Sequence, residues 1–265
     1  MYYFFLKGID QLSFISAFDG LIWLTLALTV FVFLQRFLHR EIQAVLFIST
    51  RNQGITQILF ALIFFPGVLL HELSHYISAI LLGVKTGRFS LIPNVQPDGK
   101  LRLGYVETAS GGFVRDSLIG AAPLITGSLF VAYTAIYQIH LLPLGELIHN
   151  ADWKTVWVTL AAVPKVPDFW LWFYLAFTIS STMLPSQSDR HAWLPFGMII
   201  VGVVCVAVIA GMGTWFLSNL APSLNQFFRA MAMIFGLSGV LHLLLILPFS
   251  SLHLILTKIT GIDID

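Results

Sequence analysis

Charge and cysteine are what this 265-residue sequence has least of: Asp, Glu, Lys and Arg together make up 10% of it, and Cys205 is the single cysteine. One cysteine excludes an internal disulfide framework, and its apolar neighbours give it a lipid-facing or core role. A net charge of +1 with no dense Lys/Arg cluster excludes nucleic acid as a partner. Met1 to Lys7 lack the basic stretch, apolar core and small-residue cleavage site of a removable signal peptide. What remains is mostly hydrocarbon, 57% hydrophobic residues with 23 Phe, gathered into long punctuated runs. That is the composition of an integral membrane protein. The expected fold is an all-α polytopic membrane protein with about six transmembrane helices of roughly 20 residues and a small membrane-associated β-hairpin.

The apolar runs place the expected spans at 20–38, 54–83, 117–139, 168–184, 192–217 and about 226–247. The first ends in a polar cluster of Gln35, Arg36, His39, Arg40 and Glu41, after which 42–49 either lies at the interface or extends the helix. The second exceeds the length needed to cross, so it must tilt or extend, and Pro66 is expected to kink it. Between Val84 and Asp116, Phe89, Leu91, Leu101, Leu103, Tyr105 and Val106 partly alternate around Pro97-Asp98-Gly99-Lys100, the pattern of a hairpin with a turn. From His140 to Pro167 an apolar loop is expected, and Trp153, Trp157, Trp170 and Trp172 read as an interfacial aromatic belt. Lys and Arg balance slightly favours both termini, and the side carrying 85–115 and Arg190, as cytoplasmic. The compact chain suits a prokaryotic plasma membrane. The whole of 1–265 reads as one integral membrane domain.

One charge stands out within the second run, which from Gly54 to Gly83 holds no ionisable residue except those of His71-Glu72-Leu73-Ser74-His75 and Tyr76. An ionisable side chain at that depth costs on the order of 3 kcal/mol or more, so it marks a functional site by default. Helical spacing supplies the chemistry. His71 and His75, four apart, share one helix face and can bind one metal ion, with Glu72 beside it to act on metal-bound water, the HExxH arrangement of zinc hydrolases. Catalytic zinc takes three protein ligands, so a third is required. Span counting brings 186–191 to the level of HELSH, and makes Asp189 the first candidate, with His191 and His242 as alternatives.

With these residues in view, the chain resembles the site-two protease family of intramembrane zinc metalloproteases. In that family HExxH lies on one membrane helix, and a later helix ends in Asn, two residues, Pro, a short spacer and Asp-Gly. The stretch Thr182-Met183-Leu184-Pro185-Ser186-Gln187-Ser188-Asp189 is similar, with Thr for Asn, a shorter spacer and Arg190 for Gly. Gly120-Ala121-Ala122-Pro123 is a weaker echo of the family's third span, without its Asn. The resemblance covers roughly 54–195, a catalytic core flanked by peripheral helices in 1–53 and 196–265. It implies one Zn2+ per chain held by His71, His75 and Asp189, with Glu72 as general base then general acid in peptide-bond hydrolysis by zinc-bound water. The implied partners are a membrane-protein substrate and the lipid bilayer.

A buried helical peptide bond is dry and internally hydrogen-bonded, so such an enzyme must admit water and unwind its substrate. Ser74, Ser78, Ser186, Gln187, Ser188 and Arg190 are candidate lining for a water route, and Leu101 to Val106 a candidate edge for strand addition. Ser74 and Ser78 equally suit close helix packing. His39, His140 and His149 read as ordinary polar residues of connections, and His242 as a helix tie or a neighbour of the site. Two other classes compete: a non-catalytic membrane scaffold or chaperone of the same fold, and a metal-ion transporter, which would need polar residues on more spans than this chain offers.

Overall fold

A computed structural model of the chain describes residues 2–95 and 101–262. The expected turn Pro97 to Lys100, the facing of Leu101 and the side chains of Lys7 and His149 lie outside the described residues. The chain is mostly helical. Helix α1 (Tyr2–Thr50) continues unbroken through the polar cluster after the first apolar run, so 42–49 extend the helix. Asn52 then caps α2 (Gln53–Ile63), its Oδ1 accepting from the N–H groups of Gly54 and Ile55 at 2.9 and 3.2 Å. Those are two of the donors a helix start leaves unpaired.

Helix α3 (Phe65–Leu81) follows after a bend of 70°. Pro66 stands in its first turn, where a missing N–H costs nothing but the ring forbids a straight continuation from α2. At its far end α3 stops at Gly83, whose φ of 69° is the left-handed conformation of a helix C-terminus, and Val84 N–H returns to the Ala79 carbonyl at 2.8 Å.

Next come four short strands: β1 (Thr86–Ser90), β2 (Asn94–Val95), β3 (Leu101–Arg102) and β4 (Tyr105–Thr108). β1 pairs antiparallel with β4, Phe89 opposite Val106, and β2 pairs with β3. Helix α4 (Phe113–Tyr133) runs on into a π-helical turn at Thr134–Gln138. The connection expected to be a loop from His140 to Pro167 instead folds into α5 (Leu142–His149) and α6 (Trp153–Ala162). Asp152 caps α6 by accepting from Thr155 N–H at 3.2 Å, and the Thr155 side chain together with that N–H lowers its carboxyl pKa.

Helix α7 (Phe169–Thr182) leads to a short turn, then α8 (Trp193–Ala207), a helical run broken at Gly211 that includes α9 (Gly213–Trp215), and the long α10 (Ala221–Thr260). Among the described residues, three helical stretches are long and apolar enough to cross a membrane, Asp19–Thr50, Phe113–Gln138 and Trp193–Thr260, and the bent pair α2 and α3 makes a fourth if counted as one span. Leu21, Trp23, Leu26, Val30 and Phe33 on α1 are exposed large apolar residues. Such a face suits lipid rather than water.

The core forms where α1 and α10, which pack along each other, meet the bend and α7. Leu38 and Ile42 of α1, Phe60 of α2, Phe64 at the bend, Val68 of α3 and Phe177 of α7 form one buried cluster, with Leu91 and Leu103 from the strand region packed on it. A second cluster joins Phe31, Met183 and Phe235. Between them His242 of α10 is fully buried: its Nδ1–H donates to the Ser238 carbonyl at 2.7 Å and its Nε2 accepts from Ser181 Oγ of α7 at 2.8 Å. It serves as the helix tie.

Candidate metal centre

His71 and His75 lie on α3, one turn apart, and each ring is oriented through its outer nitrogen. His71 Nδ1 faces the Thr182 carbonyl at the end of α7 at 2.7 Å, and His75 Nδ1 faces the Ile119 carbonyl of α4 at 2.9 Å. A carbonyl only accepts, so both Nδ1 atoms carry the proton and both Nε2 lone pairs are left for a ligand. Fixing the tautomer this way is how metal-binding histidines are prepared. The two Nε2 atoms are 3.2 Å apart.

The Asp189 carboxylate closes the set. Its Oδ1 stands 3.4 Å from His75 Nε2 and its Oδ2 3.8 Å from His71 Nε2. Four-coordinate zinc with bonds of about 2.0 Å has ligand-to-ligand edges of about 3.3 Å, so the spacing and the His, His, carboxylate donor set fit zinc. The three are the only group of that kind among the described residues. Burial alone would raise the Asp189 pKa, but the imidazoles of His71 and His75 beside it outweigh burial and hold the carboxyl well below the usual carboxylate range.

Backbone contact positions Asp189. The turn after α7 returns Ser186 N–H to Asp189 Oδ2 at 2.7 Å. Gly120 of α4 lies directly against the Asp189 carbonyl, leaving no room for a β-carbon. Similarly, Gly67 of α3 abuts the Thr178 carbonyl, and Gly127 of α4 abuts the Met183 side chain. Three helices thus meet at glycines around the two histidines.

Glu72 is 7% exposed and lines the same cavity as His71, His75 and Asp189, without belonging to the three-ligand group. It lies under the strand region, where a β-carbon on Gly104 would come within 3.0 Å of its Cγ. The cavity has a volume of about 1270 Å³.

The other expected site residues divide. His191 points elsewhere: it is 64% exposed, its Nδ1 meets the Ser188 carbonyl at 2.6 Å, and its Nε2 is 3.8 Å from Asp116. His242 is the buried tie described above. Ser186, Gln187, Ser188 and Arg190 line the cavity, as do Leu103, Gly104 and Val106. Ser74 does not; it is buried, 2.6 Å from Thr126 Oγ1 of α4, and serves packing.

The structure also brings in a wall that span counting separates from the site. Arg36, His39, Arg40 and Gln43 of α1, with Gln53 and Gln57 of α2, line the cavity opposite the histidines. Their spacing of 36, 40 and 43 marks one helix face, the signal by which the sequence could have revealed it. They line the site's cavity because α1 continues to Thr50 and packs on α2, and the bend of 70° then turns α3, which carries the histidines, out of line with α2.

No protein-family model, curated protein or solved structure matches the chain.

Proposed function

We propose that this chain is a multi-pass intramembrane zinc metalloendopeptidase of the site-two protease type, hydrolysing a peptide bond in or near a transmembrane segment of a membrane protein. One observation carries the reading: two histidine Nε2 atoms, each oriented by a backbone carbonyl on Nδ1, converge with the Asp189 carboxylate beside a buried Glu72 in one cavity.

His71, His75 and Asp189 would hold one zinc ion, which when bound supplies Lewis acidity toward a carbonyl and lowers the pKa of water. Glu72 is the general base: its carboxylate takes the proton of the attacking water and then delivers it to the leaving amine, so it ends the cycle as it began. Burial of Glu72 against Gly104 holds its side chain on the wall of the cavity that His71, His75 and Asp189 also line. β4 offers backbone near the cavity for an unwound substrate to pair with as an added strand. The reading includes six crossings, a β-hairpin between the second and third, and a prokaryotic plasma membrane with termini and catalytic side facing the cytoplasm.

The test compares membranes of cells producing the wild type with those producing Glu72→Gln, by mass-spectrometric mapping of new chain ends. New ends within or next to transmembrane segments in the wild type alone support the reading. Identical ends in both contradict it.

A further inference from the structure

Arginines at hydrocarbon-flanked positions need a partner, and the chain treats its own differently in two places. Arg229 of α10 is neutralised within the chain, its Nη2 2.6 Å from Asp19 Oδ2 of α1. Arg36 and Arg40 are in no ion pair among the described residues. Arg40 is near the Phe37 ring, 5.3 Å from its centroid. Both are exposed to the cavity that contains the metal ligands. Glu41, the acidic residue next to them, is turned away and paired with His253 of α10 at 3.1 Å.

The rest of that wall has the same character. Gln43, one further turn along α1, and Gln53 and Gln57, a turn apart on α2, add uncharged donors, and Arg190 contributes a third guanidinium from the Asp189 turn. His39 stands on the same wall between Phe60 and Phe64, and its buried Nε2 has no hydrogen-bond partner among the described residues. Among the described residues, the only carboxylates lining the cavity are Glu72 and Asp189, both assigned to the metal centre. The exposed side of α1 from Leu21 to Phe33 is apolar except for Thr25 and Thr29, whose hydroxyls donate to carbonyls one turn back, whereas Arg36, Arg40 and Gln43 further along line the cavity. Unpaired guanidinium groups in a partly enclosed site bind carboxylates strongly and with defined geometry.

We propose that Arg36 and Arg40 form an anion-binding wall that selects polypeptide substrates carrying an Asp or Glu side chain close to the bond presented to the metal centre. The inference rests on the peptidase reading and deepens it by naming a substrate class. A segment that reaches His71 and His75 through this cavity passes α1. An acidic side chain there replaces the missing intrachain partner, as Asp19 does for Arg229. An apolar or basic segment leaves the guanidinium groups without one.

The test is a binding titration on the zinc-loaded Glu72→Gln protein in detergent, which cannot turn substrate over. Two fluorescein-labelled, C-terminally amidated peptides are compared by anisotropy, identical and apolar except that one carries two Glu where the other carries two Gln. Amidation leaves the side chains as the only carboxylates. The acidic peptide is expected to bind about tenfold tighter or more. Arg36→Gln/Arg40→Gln should abolish that preference while elemental mass spectrometry still finds the parent's zinc content, and Arg36→Lys/Arg40→Lys should keep part of it. Arg36→Glu/Arg40→Glu should turn the preference toward a Lys-containing peptide, so a poorly folding Gln variant leaves a second readout. Equal affinity for both peptides, a preference that survives the Gln variant, or displacement of the acidic peptide by short-chain phosphatidylglycerol, which would make the wall a lipid-phosphate site, overturns the proposal. Absence of zinc from the parent protein would instead overturn the peptidase reading, and the peptide comparison is read separately from it.

Discussion

The crossing of α3, α4 and α7 and the stretch from α8 to α10 use the same residue types to opposite ends. Around the histidines, Gly67, Gly120 and Gly127 bring helices into contact so close that a β-carbon would collide with a neighbouring backbone or side chain. Gly197, Gly202 and Gly211 have nothing within 4 Å, and no residue from Trp193 to Leu220 is buried. Position must be held to within a fraction of an ångström where two imidazoles and a carboxylate share an ion, whereas a helix that only meets lipid needs an apolar surface. Precision is therefore concentrated where α3, α4 and α7 cross.

Substitutions at the centre should have the largest effects. Glu72→Gln should keep zinc and lose about 10² to 10⁴ in peptide hydrolysis, measured against any substrate the membrane mapping finds. Next is the comparison of glycines. Gly120→Val forces the Asp189 backbone away from α4, so it should lower stability by roughly 1–3 kcal/mol and reduce metal content, whereas Gly202→Val should change thermal stability by no more than about 0.5 kcal/mol. Equal effects at the two glycines would erase the distinction between the regions. Ser181→Ala leaves His242 Nε2 buried without its donor, and should cost about 1–3 kcal/mol without altering zinc content, read by thermal unfolding and elemental analysis together. The smallest effect belongs to His191→Ala. Its ring is largely exposed and directed at Asp116, so both stability and zinc content should stay close to the wild type.

Much of the centre is legible in the sequence because it depends on side-chain identity. The four-residue spacing of His71 and His75 fixes a shared helix face, and Asp189 falls at the end of the helix whose entry and exit the apolar runs define. What cannot be read are the groups without a chemical signature. The carbonyls of Ile119 and Thr182 that orient the imidazoles belong to the backbone, and any residue could supply them. Gly120 is visible as a small residue, but its contact with Asp189 depends on how two helices cross.

The fold shows the same limit. Apolar run length finds the long helices, and Pro66 marks the bend, though not its 70°. α5 and α6 are missed because Pro, Gly and His punctuate an apolar stretch that still supports about two to three helical turns at a time. The cationic wall of α1 was visible as a polar cluster, yet only the returning path of α2 and α3 turns it toward the histidines.

The central claim is that His71, His75 and Asp189 hold one zinc ion, and elemental mass spectrometry of the detergent-purified protein tests it most directly. About one zinc per chain is expected in the wild type, in Glu72→Gln and in His191→Ala, with loss of zinc in Asp189→Ala. A wild type that carries no zinc after reloading would contradict it and leave a non-catalytic membrane scaffold as the better reading.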